Sequence, residues 1–137
     1  MTQNTVFTPS ENAELVRRGY AAFNSADLET LSEMFDEKAW WHTPGRSSIG
    51  GDRQGRKVIL GHFGRYGSET AGTFKAELRE LFVSDDGRVV ALHRNTGERN
   101  GRHLDVDCLL VFEIRDGRVV DGRETFYDLH AWEEFWS

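Results

Sequence analysis

The last third of the chain alternates between apolar and polar residues. Between residues 104 and 114 the even positions are all apolar: Leu104, Val106, Cys108, Leu110, Phe112 and Ile114. The odd positions of the same stretch include Asp105, Asp107 and Glu113. Successive side chains of a strand point to opposite faces, so this pattern predicts a strand with one buried face.

Short turn sequences separate this strand from its neighbours. Asn100-Gly101 precedes it, Asp116-Gly117 follows it, and Asp86-Gly87 lies one strand earlier. Such dipeptides supply the positive φ angles that a tight hairpin needs. We therefore predict four strands that follow one another as a meander, at residues 74–84, 88–99, 102–115 and 118–127.

The lengths of two hairpin turns predict which residues pair. A two-residue turn at Asn100-Gly101 pairs His93 with Cys108, and a three-residue turn with a bulge at Gly117 pairs Cys108 with Glu124. His93, Cys108 and Glu124 would then form one row on the inner face. The other turn length at either hairpin turns a strand over and breaks this row.

Helical spacing replaces alternation in the first half of the chain. We predict a helix from Pro9, with Thr8 as the first residue of a capping box, and a second helix capped by Asp27. Three further elements are predicted: a short strand at 39–43, a weak helix at 56–66 and a short helix from Leu129. This order indicates one α+β domain over residues 1–137, with helices packed on a strongly curved antiparallel sheet.

Three apolar residues fall on the face of the sheet that the alternation places outside. Leu109, Val111 and Val119 occupy odd positions, and a monomer would leave them in water. We therefore predict a homodimer that forms through the outer face of the sheet.

Composition excludes several classes of function. The chain has 23 acidic and 17 basic residues, a net charge of -6, and its basic residues are scattered. This argues against binding to nucleic acid or to an anionic membrane. No apolar run approaches the ~18 residues of a membrane span and no signal-peptide pattern is present, so we expect a cytoplasmic protein.

Cysteine and histidine are too few or too dispersed for a metal centre. The single Cys108 excludes an internal disulfide and is interpreted as a small core or pocket residue. No two of the five histidines have the helical i, i+4 spacing of a metal site, and no glycine-rich phosphate loop is present. We predict neither a metal nor a cofactor.

Three stretches resemble the SnoaL-like branch of the nuclear transport factor two-like superfamily. They are residues 20–28 between the first two helices, the motif Trp41-His42-Thr43-Pro44-Gly45-Arg46, and residues 116–120. The resemblance covers nearly the whole chain. It implies a cone-shaped α+β barrel with an apolar interior that holds a small ligand. It also implies a homodimer, because homodimers are common in that superfamily.

Ketosteroid isomerases of this superfamily differ from the chain at their catalytic positions. Thr43 aligns with the isomerase base, Gly19 with its tyrosine donor, and Leu110 with its neutral carboxylic acid. Because none of these residues can take over the role, the resemblance does not imply ketosteroid isomerisation.

Limonene epoxide hydrolase, another member, offers a different alignment. Glu124 takes the position of a catalytic aspartate, while His93 and Asn95 align with its arginine and second aspartate. Trp41 and Thr43 align with its water-holding tyrosine and asparagine. The position of the acid is therefore kept, whereas its partners are of other kinds.

Glu124 is the candidate proton-transfer residue, assisted by His93, Asn95 and His42. An apolar interior disfavours the carboxylate anion, so its pKa should rise until it both accepts and donates a proton near neutral pH. The alternative is that Glu124 points to solvent, or neutralises Arg123 or a neighbouring histidine.

The assisting residues have alternatives too. His93 could orient Glu124 or be a half-buried strand histidine with a backbone partner, and Asn95 could hold a water or be an ordinary strand residue. His42 could carry protons at the mouth of the pocket, or face outward if Trp41 and Thr43 face inward. The candidate ligand-binding residues are Tyr20, Trp41, Cys108, Leu110, Phe112 and Phe126.

Two classes of function follow. The first is a cofactor-independent enzyme of the cyclase, isomerase or hydrolase type, which moves a proton on a small apolar carbonyl, polyketide-like or terpenoid-like compound. The second is a pocket that binds such a molecule without catalysis, or a dimerisation module that has kept only the fold.

Overall fold

A computed structural model describes residues 9–137 of the chain. The predicted capping residue Thr8 lies outside this range. Within it the elements are α1 (Pro9–Asn24), α2 (Leu28–Met34), β1 (Phe35–Thr43), β2 (Gly51–Gln54), α3 (Arg56–Ser68), β3 (Lys75–Val83), β4 (Val89–Arg99), β5 (Arg102–Arg115), β6 (Arg118–Phe126) and α4 (Leu129–Trp136). The predicted α+β class is confirmed.

The sheet has six strands in the order β2-β1-β6-β5-β4-β3 across the described residues. Strands β3 to β6 form the predicted antiparallel meander. The expected cone-like α+β fold is confirmed, although β1 pairs parallel to β6, so the sheet is mixed and not wholly antiparallel, and it does not close. Local alternation cannot reveal this pairing, because β1 and β6 lie far apart in the sequence.

The hairpin between β4 and β5 has the predicted register. Asn100 and Gly101 have φ angles of 50° and 78°, as a two-residue turn requires. Arg99 consequently faces Arg102, and His93 faces Cys108.

The hairpin between β5 and β6 departs from the prediction. Its turn, Asp116-Gly117, has two residues, and the irregularity lies further along, next to Val120, where Glu113 pairs with Asp121 and Ile114 with Val119. Glu124 therefore faces Leu110, and Phe126 faces Cys108. The predicted row of His93, Cys108 and Glu124 is wrong.

The inner face of β6 is nevertheless the predicted one around Glu124. The shorter turn and the skipped residue each move the pairing by one position in the same direction, so the error is two residues and the facing is unchanged. Glu124 is buried, whereas Thr125 is exposed. Val119 is different: the irregularity turns it into the core, and its predicted place on the outer face is wrong.

The helices cover one face of the sheet. Helix α1 packs on β3 and β4, α3 on β1 and β2, and α4 on β5 and β6. Asp27 caps α2 as predicted, by accepting a hydrogen bond from the backbone N–H of Thr30. Within residues 9–137 no helix has both the length and the apolar character needed to cross a membrane. The core between the two layers contains the cavity described next.

Candidate functional site

A cavity of about 50 Å³ lies between the helices and the inner face of the sheet. Since one water needs roughly 10–15 Å³ of such space, the cavity holds a few waters as it stands, and a small ring compound enters only when side chains of its wall move. Its lining is largely aromatic and consists of Gly19, Tyr20, Phe23, Leu31, Met34, Phe35, Trp41, Phe63, Tyr66, Phe74, Ala76, His93, Asn95, Leu110, Phe112 and Glu124.

Three side chains donate hydrogen bonds to one oxygen of Glu124. Oε1 accepts from Thr43 Oγ1 at 2.6 Å, from Tyr66 OH at 3.0 Å and from Trp41 Nε1 at 3.2 Å. No residue in the described part of the chain gives a hydrogen bond to Oε2. The carboxyl group is thus fixed through one oxygen, and the other is left for a ligand.

The pairing of β1 with β6 brings Trp41 and Thr43 to Glu124. Trp41 pairs with Gly122, two residues before Glu124 on the same face. A Cβ atom at Gly122 would lie 2.3 Å from the indole ring, so only glycine lets the ring cross β6 here. Because Gly122 has no side chain, the indole ring fits over β6 and its N–H reaches Glu124.

His62 supports this arrangement from behind. Its Nε2 lies 3.1 Å from Thr43 Oγ1 and 3.0 Å from Tyr66 OH. Each hydroxyl uses its one proton on Glu124, so Nε2 must carry a hydrogen and donate to both oxygens. A chain of bonds therefore runs from the imidazole through two hydroxyls to the carboxylate, and such chains strengthen one another.

Burial sets the charge state of both ends of this chain. It raises the pKa of Glu124 to about 7, although the bonds from Thr43, Tyr66 and Trp41 pull in the other direction. It lowers the pKa of His62 to about 3, with help from nearby Arg53. Near neutral pH, Glu124 exchanges its proton readily while His62 stays neutral.

A second polar cluster lies in the same cavity and does not contact Glu124. Tyr20 OH is 2.6 Å from His93 Nδ1, and His93 Nε2 is 2.9 Å from Asn95 Oδ1. Burial lowers the pKa of His93 to about 4 and raises that of Tyr20. The structure therefore places His93 and Asn95 in the cavity, but beside Tyr20 and not beside the predicted acid.

His42 lies on the other face of β1. Its Nδ1 and Nε2 are each 2.7 Å from a carboxylate oxygen, of Asp52 and of Asp121 respectively, and its ring stacks on Trp40. Because neighbouring residues of a strand alternate in facing, inward Trp41 and Thr43 force His42 outward. The structure does not bring it to the cavity.

Two of the predicted ligand-binding residues lie in the core away from the cavity. Phe126 stacks on Trp132 of α4 with ring centroids 3.8 Å apart, and the fully buried Cys108 pairs with it across the sheet. Burial raises the pKa of the Cys108 thiol, which keeps it protonated. Tyr20, Trp41, Leu110 and Phe112 do line the cavity.

Sequence reasoning missed Tyr66 and His62. Both belong to α3, where they are four residues apart and share a buried face with Ile59 and Phe63. The sequence could have indicated this, because the polar atoms of His62 and Tyr66 lie on an otherwise apolar helix face and need a hydrogen-bond partner in the core. The partner, Glu124, is 58 residues further along the chain from Tyr66.

The comparisons with known proteins agree with this fold. Residues 16–122 match the sequence model of the SnoaL-like domain. The chain belongs to the SnoaL-like family. An uncharacterised protein of Mycobacterium tuberculosis is 28% identical over 130 residues, which cover 95% of this chain and 99% of the relative.

Solved structures extend the likeness. Bal32a, from a soil-derived mobile gene cassette, is 65% identical with a TM-score of 0.92, and the match covers 93% of this chain and 98% of Bal32a. A Jannaschia sp. CCS1 protein provisionally described as a SnoaL-like polyketide cyclase is 16% identical with a TM-score of 0.77, covering 93% of each chain. This second likeness shows the fold alone.

Proposed function

We propose that the SnoaL-like protein is a cofactor-independent enzyme that moves a proton on a small uncharged compound, with Glu124 as acid and base. The observation that carries this proposal is a buried carboxyl group held through one oxygen, with its other oxygen unengaged in an aromatic cavity. A pKa of about 7 suits both uptake and release of a proton near neutral pH.

The three donors to Oε1 divide the work between the two carboxyl oxygens. They stabilise negative charge on Oε1, so the proton that Glu124 carries resides on Oε2. In the proposed step Oε2 takes a proton from the carbon next to a carbonyl group, and the electron pair of that C–H bond moves toward the carbonyl oxygen. The proton on Oε2 exchanges with solvent, and Glu124 then returns a proton to the compound at the same or another position. Cyclase and isomerase reactions share this step.

The cavity supports an uncharged ligand. None of its described lining residues is lysine or arginine, and Glu124 is the lone acid among them. An anionic ligand would meet the Glu124 carboxylate with no cation to offset it. Polyketide-like and terpenoid-like carbonyl compounds fit this description.

The test follows exchange of a carbon-bound proton, which needs no knowledge of the natural substrate. Small cyclic ketones are incubated with the protein in D₂O, and loss of the proton next to the carbonyl is followed by NMR. The wild type should accelerate exchange, and Glu124→Gln should reduce that acceleration by about 10²–10⁴ while still binding the ketones.

Glu113→Gln is the matched control, because Glu113 lies on the adjacent strand and outside the cavity. It should exchange like the wild type. Equal rates in Glu124→Gln and wild type would overturn the proposal. Ketone binding without acceleration by the wild type would favour the alternative function, a non-catalytic binding pocket.

We propose further that the protein forms a homodimer in the cytoplasm, through the outer face of the sheet. Leu109 and Val111 are half-buried there, and Trp40 on β1 is 40% exposed. With Val119 turned into the core, this apolar surface is smaller than the sequence suggested.

A further inference from the structure

The hydrogen bonds of the Tyr20 cluster have a fixed direction. Asn95 Nδ2 donates to the backbone carbonyl of Lys75 at 3.3 Å, which leaves Oδ1 facing His93 Nε2. An amide oxygen only accepts, so Nε2 of His93 must carry a hydrogen. The backbone of β3 thereby sets the tautomer of His93.

The tautomer in turn sets the direction of the Tyr20 hydroxyl. His93 is neutral at physiological pH because burial lowers its pKa to about 4. A neutral ring with its hydrogen on Nε2 has a lone pair on Nδ1, so Tyr20 donates its proton to Nδ1 over 2.6 Å. The Tyr20 oxygen has then spent its only hydrogen and retains lone pairs that accept hydrogen bonds.

The Tyr20 cluster and Glu124 lie apart in the cavity. His93 is on β4 and Glu124 on β6, with β5 between them, which separates their backbones by roughly 10 Å. Aromatic side chains such as Phe112 and Trp41 lie with them along the cavity wall. A ring compound that reaches Glu124 with one edge can thus place a substituent near Tyr20.

We infer that Tyr20, oriented by His93 and Asn95, is the specificity-determining residue of this pocket, and that it selects uncharged ring compounds with a hydroxyl group that donates to its oxygen. The inference rests on the proposed small-molecule function and names its ligand class. A hydroxyl donor satisfies the Tyr20 oxygen, whereas an ether or a ketone at the same place presents a second acceptor to it. His93 and Asn95 are positioning residues in this scheme.

Binding of phenol and anisole to the intact protein tests the inference. The two probes share a ring and an oxygen, but only phenol has a hydrogen to donate. Dissociation constants from NMR titration at pH 7 should show phenol bound about fivefold more tightly by the wild type, the effect of one buried hydrogen bond. Tyr20→Phe should bring the ratio of the two constants close to one.

Three other variants separate Tyr20 from its surroundings. Tyr127→Phe, at an exposed tyrosine, should keep the wild-type ratio. Glu113→Gln, outside the cavity, should also keep it, and the binding ratio is measured without any catalytic step. His93→Leu removes the acceptor for the Tyr20 proton, which frees the hydroxyl to donate. A third probe, benzaldehyde, has an acceptor oxygen and no hydroxyl, so its affinity relative to that of phenol should increase about threefold or more in this variant.

A phenol preference that survives Tyr20→Phe would overturn the inference, as would loss of the preference in Glu113→Gln instead. If neither probe binds the wild type up to its solubility limit, the pocket does not take this class of ligand and the inference also fails. Near-ultraviolet circular dichroism confirms that each variant is folded before titration. Should Tyr20→Phe not fold, the opposite change expected in His93→Leu decides the matter.

Discussion

The two faces of the β1–β6 pair carry similar polar groups in opposite surroundings. On the inner face Thr43 and Trp41 donate to Glu124, whose pKa is raised to about 7. On the outer face His42 lies between Asp121 and Asp52, and its hydrogen bond lowers the pKa of Asp52. His42 lies directly between Trp41 and Thr43 in β1, so adjacent residues of one strand have opposite surroundings.

The contrast shows that solvent, more than the number of partners, sets the charge state. Glu124 accepts three hydrogen bonds and still has a raised pKa, because its whole surroundings are buried. Asp52 is exposed to water, so a single favourable bond decides the direction of its shift. Proton chemistry near neutral pH is therefore expected on the inner face.

The largest expected effect comes from a second carboxylate on the inner face. Leu110→Asp places it in the core opposite Glu124, and we expect a loss of about 4 kcal/mol in the free energy of unfolding. Urea denaturation measures this loss. Thr125→Asp puts the same group on the exposed outer face of β6 and should change the stability by less than about 0.5 kcal/mol. Similar losses in both variants would mean that the facing is wrong.

The two faces should also respond to pH with opposite signs. Glu124 has a folded pKa above its unfolded value, so the folded state binds the extra proton, and stability from this group falls as pH rises from about 4.5 to 7. Relative to Glu124→Gln, the wild type should lose up to about 3 kcal/mol across this window. Taking the difference removes the opposing contributions of His62 and His93.

Asp52→Asn provides the outer-face counterpart. The folded pKa of Asp52 is lowered, so its contribution is present above the unfolded value and is lost as pH falls below about 4. The wild type should exceed this variant in stability at neutral pH, and the difference should shrink in acid. Thermal melts across pH 3 to 8 measure both series. The same sign of slope in both would contradict the comparison.

A smaller effect is expected from removal of one donor to Glu124. Tyr66→Phe deletes a hydrogen bond to the anion, which should raise the pKa of Glu124 further, by the equivalent of about 1 kcal/mol. The pH profile of ketone proton exchange should shift to higher pH by roughly 0.7 units. Tyr127→Phe, on the surface, serves as the control and should leave the profile in place.

The change with the least effect on the fold and on the cavity concerns the outer face alone. Leu109→Lys should weaken the proposed homodimer by about 1–2 kcal/mol without unfolding the chain, because Leu109 is half-buried in the monomer. Sedimentation velocity at micromolar concentration measures the association, with the exposed Leu28→Lys on α2 as a control. A wild-type protein that sediments as a monomer would reject the homodimer.

Local sequence determined the four strands of the meander and the facing of β5. Alternation in residues 104–114 needs only neighbouring residues, since period two is a property of the strand itself. The Asn100-Gly101 turn also acts locally, through positive φ angles, and it predicted the pairing of His93 with Cys108 correctly. These features required no knowledge of distant contacts.

Tertiary structure decided how the site is assembled. The two-residue turn and the irregularity near Val120 together moved Glu124 from Cys108 to Leu110, and nothing in the turn sequence specifies where a strand absorbs an extra residue. The bond between Thr43 and Glu124 spans 81 residues, and it exists because β1 pairs parallel to β6. Such partners are chosen by packing across the whole molecule.

The surroundings of Glu124 depend partly on local sequence and partly on tertiary structure. The sequence predicted that this carboxyl group faces the apolar side of β6, with exposure to solvent as the alternative, because facing follows from strand geometry. It did not determine that Tyr66 would donate to Glu124 or that His93 would turn to Tyr20 instead. Those contacts depend on how α1 and α3 close over the sheet, and a helix is placed by the sum of its packing contacts, which no short stretch of sequence contains.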